Sequence, residues 1–187
     1  MIEIPSLRPE SRYGIPTSDL LLFNRQYVVG YSYLFRQPRW AMQVIDESTM
    51  PMEDNFDRLD NFREDLRIPE KFRSSLGDYK GSGFDRGHLI NSTDRKGSRI
   101  INSETFLLSN MSPQKPDFNR DIWLGLEKAV RVLAEKVEFA EVYTICGPLF
   151  AIGDPIEVIG ANHVVVPDAF FKSVLAERAK ARSTNQL

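Results

Sequence analysis

The sequence predicts an α+β fold, in which a central, mostly antiparallel β-sheet is flanked by helices. Three observations carry this. Residues 26–33 and 40–45 are aromatic and β-branched runs separated by Arg36-Gln37-Pro38-Arg39, the pattern of an antiparallel strand pair. Residues 142–146 and 162–166 are further apolar runs that read as buried strands, the first stopped by Gly147-Pro148. Between these groups, Phe118, Ile122, Leu126, Val130, Leu133 and Val137 keep helical spacing behind an N-cap expected at Asp117, so Trp123 and this stripe are expected to be core.

The remaining elements follow in order. Residues 1–25 hold Pro5, Pro9, Gly14 and Pro16 and read as an extended arm. Residues 50–58 are polar and read as loop. Residues 62–80 are charged and irregular, with Pro69 opening a short helix and Gly77-Asp78 forming a turn. Gly81-Ser82-Gly83 feeds a strand whose end presents His88. A polar, basic surface loop is expected over 91–103 and a short apolar strand over 105–108. The chain closes with a helical or ragged segment, 170–182, and a frayed tail, 183–187. At 187 residues this is most simply a single domain.

Composition narrows the chemistry. Hydrophobic residues make up 42% and charged residues 27%, ordinary for a globular protein. No apolar run reaches the roughly 18–20 residues that a membrane span needs, so no membrane association is expected. The first residues lack the basic start and apolar run of a secretory signal, which leaves an intracellular compartment and a mitochondrial one after processing both open. Cys146 is the only cysteine, so intramolecular disulfides and cysteine-rich zinc sites are excluded. With His88 and His163 the only histidines, a histidine-rich cage is excluded too. Any metal should be a hard cation held by oxygen ligands and water. The net charge is −2, yet residues 58–99 hold ten Lys or Arg against seven Asp or Glu. A local basic cleft on an otherwise acidic surface would hold phosphate without coating the molecule in nucleic acid.

The stretch Gly83-Phe84-Asp85-Arg86-Gly87-His88-Leu89 concentrates the chemistry. Arg86 offers a permanent cation with a planar fork of donors suited to phosphate. His88 can take a proton from water near neutral pH. Asn119 lies in the first turn of the long helix, with Trp123 and Glu127 following at i+4 and i+8, so an amide oxygen and a carboxylate share roughly one face. An amide oxygen is a hard neutral ligand adequate for one position on Mg²⁺, and Glu127 could hold one of that ion's waters. Arg95, Lys96 and Arg99 divide evenly between solvated loop and an edge of the nucleic-acid groove. His163 is expected to be structural, within an apolar strand.

Three blocks, Gly-Ser-Gly-Phe-Asp-Arg-Gly-His-Leu (81–89), Thr-Phe-Leu-Leu-Ser-Asn-Met-Ser-Pro-Gln (105–114) and Asn119…Trp123…Leu126-Glu127, resemble the DNA/RNA non-specific endonuclease family in order and spacing. The likeness extends upstream to Arg58…Phe62-Arg63-Glu64-Asp65 and downstream to Asn162-His163-Val164-Val165-Val166-Pro167. It covers most of 13–175 and leans toward the endonuclease G-like branch.

The resemblance implies a ββα-metal finger built from a strand over 84–88, a partner strand near 105–110 and the helix from Asp117. It implies Mg²⁺, with Mn²⁺ as a substitute, as the cofactor, and DNA and/or RNA as the substrate. It makes His88 the general base, Asn119 the sole direct metal ligand, Glu127 its partner through water, and Arg58 and Arg86 the phosphate clamps. Asp85 is expected to fix backbone or an arginine, and Asn110 and Gln114 to brace the loop carrying Asn119. Relatives of this kind are often homodimers. Ile90-Asn91 departs from the small residues or proline usual after Leu89 and is expected to alter the wall beside His88. The competing readings are a catalytically silent nucleic-acid-binding module of the same fold and a phosphodiesterase acting on small substrates.

Overall fold

The computed structural model describes residues 8–46, 49, 57–151 and 155–179. Most of the expected loop over 50–58, the start of the N-terminal arm and the 183–187 tail lie outside the described residues. The expected α+β architecture is present: a five-stranded antiparallel sheet in the order β1 (Leu20–Phe23), β2 (Tyr27–Ser32), β3 (Gln37–Ile45), β6 (Phe139–Leu149) and β9 (Ala169–Arg178), plus two small two-stranded ladders.

The arm is more ordered than its prolines suggest. After a 3-10 turn at Pro9–Ser11, Leu20–Phe23 forms β1, which lies along β2 (Tyr27–Ser32) at one edge of the sheet. The hairpin into β3 (Gln37–Ile45) turns three residues earlier than expected. Residues 33–36 make the turn, with Arg36 at φ 56°, and Gln37-Pro38 already belong to the strand. Gln37 is fully buried and spans elements: its Oε1 accepts from Ser112 at 2.6 Å and its Nε2 donates to the Val165 carbonyl.

Between β3 and the central strand, Pro69 precedes a 3-10 turn, Glu70–Phe72, rather than a helix. Gly77-Asp78 lies inside a one-turn helix, α1 (Leu76–Tyr79), and not in a free turn. Ser75 and Asp78 close a reciprocal capping box, and Asp78 also accepts from Asn162. Residues 91–103 hold structure as well: a 3-10 turn, Ser92–Arg95, and α2 (Arg99–Glu104), capped by Ser98.

Strand β4 (Asp85–His88) pairs with β5 (Met111–Gln114), not with residues 105–110. The 105–110 segment is a run of turns whose backbone is stitched to Arg63. The long helix follows β5, and it departs from expectation at its start. Asp117 is already helical (φ −64°, ψ −40°) and makes no side-chain cap; the helix opens at Pro116, where a missing N–H costs nothing. Phe118–Trp123 is a π-helical turn that leads into α3 (Leu124–Ala134).

That turn admits one extra residue and rotates everything after it. The buried face therefore carries Trp123, Glu127 and Val130, while Ile122 is 66% exposed and Val137 is 95% exposed. Of the expected stripe, Phe118, Val130 and Leu133 do pack into the core, Ile122 and Leu126 do not, and Val137 lies beyond the end of the helix.

Strand β6 (Phe139–Leu149) runs straight through Gly147-Pro148. Pairing with β3 ends at Cys146, so Pro148 owes no hydrogen bond on that side. Residues 162–166 reduce to a small ladder, β7 (Val158–Ile159) with β8 (Val164–Val165). His163 sits in the turn between them at φ 52°, not within a strand. Over its described residues the final segment is not helical. It is β9 (Ala169–Arg178), paired along nearly the whole of β6, and that ladder overrides the helix propensity of its Ala, Glu and Leu residues.

One close approach in the sheet is testable. A Cβ on Gly147 would lie 2.2 Å from the Arg39 carbonyl oxygen and 3.0 Å from the Phe171 ring, and the Arg39 backbone has little room to yield. Gly147→Ala should destabilise the fold by about 1–3 kcal/mol, read as a lower denaturant midpoint in chemical unfolding.

Candidate active site

Strand alternation places Arg86 and His88 on one face of β4 and Asp85 and Gly87 on the other. Gly87 is buried because Gln114 lies over it: a Cβ there would meet the Gln114 side chain at 2.2 Å. The neighbouring strands can therefore approach closely beneath the reactive face.

The backbone leaving His88 is unusually well fastened. Trp123 Nε1 donates to the His88 carbonyl at 3.0 Å, and Leu89 N donates to the Asn110 carbonyl at 3.0 Å. The Cys146 thiol, which burial pushes up to about 11, donates to the Leu89 carbonyl at 3.2 Å. Asn110, fully buried, accepts from Ile90 N at 3.0 Å and donates at 2.9 Å to the carbonyls of both Ile90 and Thr105. Asn110 thus braces the segment behind His88 rather than the loop carrying Asn119. Ile90 is wholly buried.

His88 stands between two rings. Phe62 and Phe106 meet it edge-on, with centroids at 5.5 and 5.2 Å. Each ring in turn carries an arginine: Arg86 Cζ lies 4.0 Å from the Phe62 centroid and Arg58 Cζ 5.1 Å from that of Phe106. Arg58 also pairs with Asp60 at 3.3 Å on the exposed rim. The histidine as a whole is partly exposed, but its Nε2 is sealed from solvent and has no hydrogen-bond partner. Burial, then the charges of Arg58 and Arg86, push the imidazole down to about 3, against a hydrogen bond with the Arg86 backbone. The ring is held neutral.

Asn119 is placed by the π-helical turn. Its Nδ2 donates to Asp85 Oδ2 at 2.9 Å, which orients the amide oxygen away from that carboxylate. Asp85 is gripped by Arg120 at 2.7 and 2.9 Å. Burial pushes its carboxyl up, but the Arg120 and Asn119 hydrogen bonds outweigh this and hold it below its ordinary value. Asp85 therefore fixes an arginine, as expected, and that arginine is Arg120.

A cleft of about 470 Å³ joins Arg58, Lys80, Asp85, Arg86 and Asn119. Among the expected site residues, Glu127 lies deeper along the helix, 6% exposed, and accepts from Asn91. Burial pushes its carboxyl up to about 7, with Lys172 the largest opposing influence. Gln114 is buried and neither of its amide atoms has a partner.

Arg95 does not edge the groove. It is 0% exposed and donates at 2.9 Å to the carbonyls of Asp94 and Val44; burial pushes it down to about 10, against the attraction of Asp94. Lys96 and Arg99 do not line the cleft. Sequence reasoning gave no role to Lys80, Arg120, Phe106 or the Asn91 side chain. Only Arg120, beside Asn119 and one turn behind Trp123, carried a local hint.

The chain matches the family model described as DNA/RNA non-specific endonuclease over residues 8–187. This protein belongs to that family. Human mitochondrial endonuclease G is 36% identical over 177 residues, covering 90% of this chain and 59% of that protein. The Caenorhabditis elegans endonuclease G is 38% identical (89% and 56%), and the Saccharomyces cerevisiae mitochondrial nuclease 38% (94% and 56%). The chain thus spans less than two thirds of the length of these relatives. A solved EndoG/EndoGI complex superposes with a TM-score of 0.85 at 36% identity, covering 91% of this chain and 73% of that one.

Because the fold keeps His88 neutral, acid should act through it. Stability arising from its depressed value is present above about 6.5 and lost as pH falls toward 3. Wild type should therefore lose stability more steeply from pH 6.5 to 4.5 than His88→Ala does, in denaturant midpoints measured across that range.

Proposed function

We propose that this chain is a metal-dependent, sequence-tolerant endonuclease that hydrolyses phosphodiester bonds in DNA and/or RNA. The observation that carries this is the sealed, unpartnered Nε2 of His88, set between two rings whose arginines, Arg58 and Arg86, line a basic cleft. Arg58 and Arg86, neither of which has a buried anionic partner among the described residues, clamp the phosphate. As the phosphate takes up their charge, two of the influences that suppress the imidazole's basicity weaken. His88 gains proton affinity when substrate is bound. It then accepts the proton of a water whose oxygen bonds to phosphorus as the bond to the leaving oxygen breaks.

The donor set suits a hard cation. Asn119 offers a neutral amide oxygen whose nitrogen is already committed to Asp85, and Glu127 keeps a buried oxygen with no partner. Among the described residues no group of three or more His, Cys, Asp or Glu could hold a metal, so Asn119 with water is the coordination the site favours. Bound Mg²⁺, or Mn²⁺ in its place, would neutralise charge on the transition state and the leaving oxygen. Glu127 would hold one of the waters of such an ion. Contacts to phosphate rather than base edges make cleavage tolerant of sequence.

Supercoiled plasmid and single-stranded RNA should both be cut in Mg²⁺ and spared in EDTA. His88→Ala should lower the rate by at least about 10²-fold while nucleic-acid binding persists. Asn119→Ala should raise the Mg²⁺ requirement. Undiminished cutting by His88→Ala would overturn the assignment of the base, and no cutting by folded wild type would overturn the nuclease reading.

A further inference from the structure

Asn91 belongs to none of the motifs above, yet it touches the deepest residue of the site. It opens the Ser92–Arg95 turn, where its Oδ1 accepts from Thr93 N at 2.7 Å. That bond settles which way the amide faces, since only the oxygen can accept an N–H. Nδ2 is thereby turned toward Glu127 and donates to its Oε2. The other carboxylate oxygen, Oε1, is buried and has no partner.

The surroundings explain why a neutral donor matters. Lys172 from β9 acts on Glu127 through its charge, while Asp94 and Arg131 pair with each other at 2.6 Å. A cation in the place of Asn91 would form an ion pair and draw off the carboxylate's acceptor strength. An amide fixes the rotamer and leaves the charge intact. Its own position is rigid, because the preceding Ile90 is buried and tied through both backbone groups to Asn110.

We propose that Asn91 is a positioning residue: it holds Glu127 in the rotamer that leaves Oε1 to receive a water of the cation carried by Asn119. This rests on the nuclease reading above. Asn91 acts through Glu127 and touches neither substrate nor metal.

Asn91→Ser separates this role from capping. A serine retains the acceptor for Thr93 N but cannot reach Glu127. Mn²⁺ binding to the protein without nucleic acid, read from the electron paramagnetic resonance signal of free Mn²⁺, should weaken about tenfold in Asn91→Ser, with the unfolding midpoint close to wild type. Asn91→Asp, which sets a second carboxylate against the first, should weaken it further. In a Glu127→Gln background, Asn91→Ser should change Mn²⁺ affinity by less than about twofold, because the partner it acts through is gone. Wild-type affinity in Asn91→Ser, or the same tenfold loss with and without Glu127, would overturn the inference while leaving a cutting wild-type enzyme intact. Failure of wild type to bind Mn²⁺ or to cut would overturn the nuclease reading and this inference with it.

Discussion

The site depends on the fastening of three consecutive backbone residues, His88 to Ile90. Buried amide and carbonyl groups must find partners, and here they come from four directions: Trp123 on the long helix, Asn110 before β5, Cys146 on β6, and the β4–β5 ladder itself. Asn110 alone satisfies three of these requirements, both backbone groups of Ile90 through its side chain and the Leu89 amide through its own carbonyl. Because each partner belongs to a different element, the histidine cannot shift without disturbing the helix, the finger and the central sheet together. The sheet serves mainly as the platform that makes this convergence possible.

Electrostatics then gives the fastened ring its character. The two arginines flanking His88 do not pair with it; they lie over rings that flank it. Their charge and the ring's burial act in the same direction, toward the neutral imidazole. A neighbouring carboxylate would have undone this, but Asp85 faces away across β4 and is occupied by Arg120 and Asn119. Three residues apart on one strand, an acid and a base are kept from meeting by the alternation of the backbone.

Much of this was legible in the sequence, and the parts that were not have physical causes. The antiparallel sheet, the strand that presents His88, and the grouping of Arg58, Arg86 and Asn119 followed from periodicity and from the family resemblance. The strand identity of 169–178 was hidden because its composition suits a helix and only the long partner, β6, decides otherwise. Arg95 looked like a groove residue because nothing local reveals that its guanidinium ends against the Val44 carbonyl in the sheet. Ile122 and Leu126 were misread as core because i→i+5 hydrogen bonding leaves no mark in composition.

That π-helical turn constrains how the chain can vary. Substitutions between Asn119 and Glu127 change one contact at a time. Loss of a single residue there would let the turn relax to an ordinary helix, swinging Glu127 away from Asn91 while Asn119 stayed in place. The segment is therefore permissive to exchange of side chains and intolerant of deletion, so lineages that keep both residues should keep the eight-residue interval between them.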